Sequence, residues 1–440
     1  MQRKIQVELS DWKTKPNRMP LLLRGARQVG KTFIVEELGR KYFESSITIN
    51  FELEPKNIKA FESLHPEEII ARLDLINRTR IVPGKTLLFL DEIQQCPQAI
   101  VALRYFKEKM PELHVIGAGS LLEFVLHQES FSFPVGRIQP IYLKPMSFEE
   151  FLLNTGESQS LEFIKEATLN KPPDQFLHEH LLQLVRRYFL LGGMPAVLNT
   201  YTQENSWLEC ARIQSGLLQT YRSDFGKYST KAQHIHLEKL FEKAPGTVGE
   251  QVKYTSIDPD TRSREIKTAI QQLEWSGLLT KIRATAASGM PLEAQVKENL
   301  FKLLFLDIGL LQNANQINPS AIFEQDLLQI NQGALAEQFV GQELLAYTDC
   351  YQDSKLYFWQ REEKSSQAEV DYVINLDANV IPIEVKAGKT GRLKSLRQFM
   401  DAKKSPFGIK ISTDGLAFEK DIISLPFYLI GQLQRICRQI

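Results

Sequence analysis

The sequence predicts a multidomain α/β chain that opens on a parallel-sheet, phosphate-binding core, and three observations carry that expectation. Residues 25–32 read Gly-Ala-Arg-Gln-Val-Gly-Lys-Thr and meet every fixed position of the pattern GxxxxGK[ST]. An apolar run, Thr86-Leu87-Leu88-Phe89-Leu90, ends in the acidic pair Asp91-Glu92. Near the far end, Ile381-Pro382-Ile383-Glu384-Val385-Lys386 alternates with period two, which sets Glu384 and Lys386 on one face of a strand. At 440 residues the chain exceeds one ordinary core and calls for about two to four domains.

Each element of the first core follows from local chemistry. Leu21-Leu22-Leu23 suits a buried strand, and Phe33 to Leu38 suits the first turns of a helix, so the pattern lies between strand and helix. Gly25 and Gly30 let the loop Gly25, Ala26, Arg27, Gln28, Val29, Gly30 curl with its N–H groups inward, at a helix N-terminus that favours anions. Lys31 reaches the β- and γ-phosphates, and the hydroxyl of Thr32 helps hold Mg²⁺. Asp91 ends its strand where a nucleoside triphosphatase holds the metal's water shell, and Glu92 is placed to polarise the attacking water. A third strand, His114-Val115-Ile116, runs into Gly117-Ala118-Gly119-Ser120, where Ser120 can sense the γ-phosphate. ATP and Mg²⁺ are the cofactors these residues call for.

These motifs resemble the AAA+ class of P-loop ATPases, in particular the archaeal-ATPase-like branch close to the signalling (STAND) ATPases. The resemblance rests on Gly25–Thr32, Leu87–Glu92 and Gly119-Ser120. It extends to Gly136-Arg137, to Leu143-Lys144-Pro145-Met146-Ser147-Phe148-Glu149-Glu150-Phe151 and to Gly192-Gly193-Met194-Pro195. It implies an ATPase core over residues 1–155, with Arg137 touching nucleotide phosphate either in cis or across a subunit boundary, and hence a homo-oligomer; Arg104 is a weaker candidate for that role.

Residues 156–230 read as helical, with apolar spacing in Leu181-Leu182 and Leu184-Val185 and again around Ile213–Leu218. Residues 231–312 suggest a winged helix: a helix at Ala232–Lys243, a second at Arg262–Ser276, then strands Leu278–Ile282 and Leu300–Leu306 joined by a wing, Ala287–Gln295. Two uses fit this segment. In a DNA reader, Arg262, Arg264 and Lys267 would meet phosphates and base edges; in a protein-contact module they form a solvated basic face.

The segment 313–440 holds the second chemistry. Gly333–Leu345 is an amphipathic helix carrying Glu337, Tyr357-Phe358-Trp359 is an aromatic strand, and Glu369–Ile374 is a strand carrying Asp371. With Glu384 and Lys386 these residues make a hard-cation site, Asp371 and Glu384 as metal ligands, beside a lysine that can act on water or phosphate. The order Glu, Asp, Glu-x-Lys resembles the PD-(D/E)XK restriction-endonuclease-like superfamily over residues 330–390, although no proline precedes Asp371. That resemblance implies Mg²⁺-dependent DNA cleavage by Glu337, Asp371, Glu384 and Lys386. The alternative is an ordinary charged strand face.

Composition bounds the partners. Lys+Arg and Asp+Glu both number 53, so binding to nucleic acid must use local patches. Apolar runs such as Leu87–Leu90 and Leu303–Leu306 are too short to span a membrane. Met1-Gln2-Arg3-Lys4 lacks the apolar stretch of a signal peptide, and Cys96, Cys210, Cys350 and Cys437 form no CxxC, which together predict a cytoplasmic protein with reduced thiols. His178/His180 and His234/His236 stand two apart, a spacing that points them away from each other on a helix. The expectation is an ATPase whose nucleotide cycle gates a nuclease-like domain acting on DNA. The alternative is a nucleotide-operated switch in which that domain binds a partner without cutting.

Overall fold

In a computed structural model of the chain, residues 1–128, 131, 136–258, 261–316, 332–361, 368–387 and 393–440 are described. The N-terminal sheet has five parallel strands: β1 (Leu21–Arg24), β2 (Ser45–Asn50), β3 (Thr86–Asp91), β4 (His114–Ala118) and β5 (Gln139–Tyr142), in the order β2-β3-β4-β1-β5. Helices cover both faces, so alternate residues of one strand enter different cores: Leu21 and Leu23 pack on one side and Leu22 on the other, as do Leu87 and Leu88. That double burial is why these strands are continuously apolar in sequence. The order reverses around β1, and such a sheet binds ligands in the crevice beyond its strand C-termini. The P-loop leaves β1 there and Asp91 closes β3 there.

The expected helical stretch is four helices, Ser158–Glu166, Gln175–Leu191, Pro195–Glu204 and Trp207–Asp224. The next segment contains Lys231–Lys243 and Ser263–Trp275, followed by β7 (Leu279–Thr285) and β8 (Val296–Phe305); a two-residue strand, β6 (Gln251–Val252), pairs with β8. The hairpin strands are longer than the sequence suggested. Pairing runs past Ile282 across a register shift at Arg283/Ala284 to Thr285 opposite Val296, which leaves residues 286–295 as the wing.

Beyond the Gln332–Ala346 helix come β9 (Leu356–Gln360), β10 (Glu369–Leu376), β11 (Asn379–Val385), β12 (Gly408–Ser412), β13 (Ala417–Glu419) and β14 (Ile422–Pro426). They do not form a separate sheet. β7 pairs in parallel with β9, giving one nine-stranded mixed sheet, β13-β14-β12-β11-β10-β9-β7-β8-β6, that crosses the boundary expected at 312/313. One apolar cluster likewise takes side chains from Ile5 through Trp12, Tyr188, Phe241 and Phe339 to Cys437, so the four sequence segments share a core. Among the described residues no helix is long and apolar enough to cross a membrane.

Candidate functional site

The P-loop adopts the backbone its glycines permit. Gly25 has φ +142°, and a Cβ there would lie 2.2 Å from the Leu143 carbonyl oxygen. Gly30 has φ +98° and starts the helix Lys31–Tyr42. Lys31 is 7% exposed and its Nζ donates to the carbonyls of Gly25 (2.9 Å) and Ala26 (2.8 Å). Burial pulls its pKa down to about 8 against the opposing pull of Glu92 and Asp91. Thr32 Oγ1 donates to Asp91 Oδ2 at 3.1 Å, which brings together the two expected magnesium-side groups. Asp91 is raised by burial and by the neighbouring Glu92.

Glu92 takes a left-handed backbone, φ +48°, that turns its carboxylate toward β4. Its Oε2 accepts from Ser120 Oγ at 3.3 Å and from Gln94 Nε2 at 2.6 Å, so Lys31, Thr32, Asp91, Glu92 and Ser120 form one constellation. Two members were not foreseen. Asn50 at the end of β2 donates to Asp91 Oδ2 at 3.3 Å, and Gln94 buttresses Glu92. Position signals Asn50, because β2 ends beside β3; nothing local distinguishes Gln94.

Four distant segments grip the loop. Arg3, buried, donates to the carbonyls of Val29 (3.0 Å) and Lys144 (2.7 Å) while its Nε meets Glu150 Oε1 at 3.1 Å. Arg27 pairs with Asp224 at 2.5 Å, and Tyr221 donates to the Arg27 carbonyl at 3.0 Å. Pro195 lies against Gly30, where a Cβ would be 3.6 Å from its ring. The Gly193 carbonyl accepts from Met146 N–H at 2.7 Å, and a Cβ on Gly193 would strike Met146. The Gly192–Pro195 and Leu143–Phe151 segments therefore interlock beneath the loop. Last, Gly277, φ +75°, abuts Ala26, with a Cβ distance of 3.1 Å that no larger residue meets without movement.

Arg137 is not brought to this site. β1 and β5 align Leu21 with Gln139 and Arg24 with Tyr142, so Arg137 lies at the opposite sheet end from the P-loop, on the order of 15 Å away along the strands. Exposed there, its Nε pairs with Glu108 Oε1 at 3.0 Å, the same oxygen that Arg104 engages. Of the two placements expected of Arg137, in cis or across a subunit boundary, the cis one is not met: the strand after it runs toward the P-loop end of the sheet, so Arg137 itself starts from the far edge.

Residues 17–152 match the AAA domain family. That match, with the P-loop on its parallel sheet, makes the N-terminal part of the chain an AAA-type P-loop ATPase-like core. Residues 182–321 and 332–428 match two domains of unknown function, DUF8612 and DUF4143. No curated protein matches the sequence. Among solved structures, the Walker-type ATPase PABY2304 of Pyrococcus abyssi is 14% identical, with 71% of this chain and 95% of that one covered, at a TM-score of 0.46. The Aeropyrum pernix Orc1 protein in complex with DNA is 14% identical (74% and 95% covered, TM-score 0.32). The RuvB Holliday junction branch migration motor of Thermotoga maritima is 13% identical (64% and 89% covered, TM-score 0.27). At such scores these likenesses decide nothing about the chain.

The C-terminal constellation is assembled by β10, β11, the Gln332–Ala346 helix and, unexpectedly, β8. Asp371 Oδ2 accepts the Val385 N–H at 2.7 Å, so the β10 carboxylate reaches across to the end of β11. A register shift between Val370 and Val373 flanks it, of the kind that re-aims side chains near sites. Lys386 Nζ donates to Glu384 Oε1 at 2.6 Å, while Glu384 Oε2 is buried with no hydrogen-bond partner among the described residues. Lys302 of β8, 1% exposed, contacts Glu337 Oε2 (3.0 Å), Glu369 Oε1 (2.5 Å) and Asp371 Oδ1 (3.9 Å). Burial, then like charge, raises Glu337 and Glu384 above ordinary carboxylates, whereas the surrounding carboxylates raise both lysines against the effect of burial. Among the described residues no three His, Cys, Asp or Glu side chains converge as a metal cage.

Sequence reasoning missed Glu369 and Lys302. Glu369 is two residues from Asp371 and hence on the same strand face, a legible signal. Lys302 stands alone in the apolar run Leu300–Leu306, which is itself unusual. Arg262, Arg264 and Lys267 are all exposed at the start of the Ser263–Trp275 helix. The C-terminal end of that helix packs Trp275 on Phe124 and His127 of the ATPase domain.

Proposed function

We propose that this chain is an ATP-hydrolysing AAA+-type protein whose nucleotide cycle gates a metal-dependent, nuclease-like site acting on DNA. The observation that supports gating is a continuous line of buried polar contacts between the two sites. Arg3 holds Val29 of the P-loop and Glu150; Glu150 forms the capping box of the Phe148–Asn154 helix with Ser147. The N–H of Phe148 in turn donates to both oxygens of Glu343, at 3.1 and 3.0 Å. Glu343 shares its helix with Glu337, six residues earlier, or about 9 Å at the helical rise. Between them Gln338 bonds both backbone groups of Phe305 and Gln342 receives the Ile308 N–H, so the helix is fixed to β8 and to the start of the Ile308–Ala314 helix.

In the ATPase site, Lys31 draws on the β- and γ-phosphates, Thr32 and Asp91 hold the magnesium side, Glu92 orients water and Ser120 reads the γ-phosphate. In the C-terminal site two carboxylates, Asp371 and Glu384, offer the oxygen donors a hard divalent cation takes. Four carboxyl groups, Glu337, Glu369, Asp371 and Glu384, face two ammonium groups, Lys302 and Lys386, and one buried oxygen of Glu384 has no partner among the described residues. Asp371 and Glu384 would hold the ion; when bound, Mg²⁺ supplies Lewis acidity to a phosphodiester. Lys386, anchored by Glu384, is placed to orient water or phosphate, and Glu337 to position the site from its helix. Arg262, Arg264 and Lys267 offer a basic face of winged-helix type to the DNA backbone. A cytoplasmic location belongs to this reading.

The test is incubation of the full chain with plasmid, linear and single-stranded DNA, Mg²⁺ or Mn²⁺, and ATP present or absent. Metal-dependent cleavage that Asp371→Asn and Lys386→Ala each reduce at least about 100-fold is expected, since each removes a group acting in the chemical step. Absence of cleavage under every condition rejects the nuclease. One observation favours the alternative, a nucleotide-operated switch that binds a partner without cutting: Lys302 already satisfies Glu337 and Glu369.

Assembly is part of the same reading. Arg137 is exposed and remote from its own P-loop, the placement needed to complete a neighbouring subunit's site. ATPase activity per chain should therefore rise with protein concentration, and Arg137→Ala should flatten the rise. A rate independent of concentration in the unaltered chain rules out the trans role.

A further inference from the structure

We propose that Lys302 is a built-in cation that excludes a divalent metal from the Glu337–Asp371 side of the acidic site, so that the site opens only when β8 withdraws it. The inference rests on the reading of that site as cation-binding and adds the residue that closes it.

The geometry is that of an occupant. The Lys302 ammonium is within hydrogen-bond reach of Glu337 and Glu369 and 3.9 Å from Asp371, with its own side chain 1% exposed and lying over the Phe358 ring at 5.5 Å. Glu369 is held toward it by Gln251, whose Nε2 donates to the other carboxylate oxygen at 2.5 Å. An ammonium and a divalent ion sharing these carboxylates would face each other a few ångströms apart with little water between, so occupation by one opposes the other. Here four carboxyl groups stand against Lys302 and Lys386, and Glu384 keeps an oxygen without a partner among the described residues. The cluster keeps one oxygen that neither lysine fills.

The hairpin that carries Lys302 also adjoins the P-loop. Lys302 is paired with Ile282 of β7, and the turn that opens β7, at Gly277, rests on Ala26 of the P-loop. Movement of that turn would shift the β7–β8 hairpin and, with it, the lysine. Gln338 ties the Glu337 helix to Phe305, three residues along the same strand, so lysine and carboxylates separate only if this bond slides or β8 bends.

The experiment is calorimetric Mn²⁺ titration of the full chain and of Lys302→Gln and Lys302→Arg. Lys302→Gln should bind Mn²⁺ at least about tenfold more tightly than the unaltered chain, and Lys302→Arg no more tightly, because arginine restores the competing charge. Asp371→Asn added to Lys302→Gln should abolish the gain. Equal affinity in the unaltered chain and Lys302→Gln overturns the proposal and leaves the cation site standing; no binding in either overturns both. A second measurement needs no variant. Amine-reactive labelling of the unaltered chain, read by mass spectrometry, should find Lys302 protected without metal and modified as Mn²⁺ rises to millimolar concentration. Protection that persists throughout counts against Lys302 as the excluded cation's rival.

Discussion

Lys31→Ala is expected to weaken ATP binding at least about 100-fold, because the loop then loses its charged group for the β- and γ-phosphates. Glu92→Gln is expected to bind ATP as before and to hydrolyse it about 100- to 1,000-fold more slowly, the cost of losing the carboxylate that acts on water. The two substitutions separate because their targets do. Lys31 points into the loop, bonded to the Gly25 and Ala26 carbonyls, and binding exchanges those carbonyls for phosphate. Glu92 stands outside it, held through Ser120 and Gln94, and glutamine there keeps an acceptor for both while losing the charge. Nucleotide titration and phosphate release on both variants decide the matter. Hydrolysis by Glu92→Gln at the unaltered rate would remove Glu92 from the catalytic role.

Arg3→Ala should be the most damaging change far from the phosphates in sequence, costing about 2–4 kcal/mol of stability and loosening the P-loop together with it. The alteration leaves the Val29 and Lys144 carbonyls without this donor and takes the guanidinium from Glu150, in a pair whose side chains are 5% and 7% exposed. Glu150 retains the N–H groups of Lys4 and Ser147, which keeps the cost below that of a bare buried charge. Denaturant unfolding of Arg3→Ala, Glu150→Gln and the double variant tests this. The double should lose clearly less than the two singles together, since each single already removes the shared interaction. ATP affinity should fall in Arg3→Ala as well. Stability within about 0.5 kcal/mol of the unaltered chain would mean that the clamp is ornamental to the fold.

The nucleotide constellation was legible because its information is local. The glycines and the lysine of the P-loop lie within eight consecutive residues, and burial on both sheet faces makes β3 apolar up to the point where Asp91 must be polar. Glu337, Asp371, Glu384 and Lys386 were legible for a related reason: strand alternation and helix register fix which residues share a face before any packing is known. Glu369 followed the same rule and was overlooked. Arg137 shows the limit, since a dipeptide motif does not say at which end of a sheet it will lie.

What the sequence by itself determined, then, is which candidate side chains share a loop or a face and the strand or helix that carries them, since φ/ψ preference, period and loop geometry act over a few residues. The tertiary structure alone decided how the sites are held and joined. Arg3 meets Glu150 across 147 positions and Arg27 meets Asp224 across 197, distances over which no local pattern reports. The union of β7 with β9 joined two expected domains in one sheet and delivered Lys302 to Glu337, Glu369 and Asp371, of which the sequence reading had assigned Asp371 to a metal. Buried charge finds its partner through the fold, because the cost of leaving it unpaired is met by whichever group packing brings within reach.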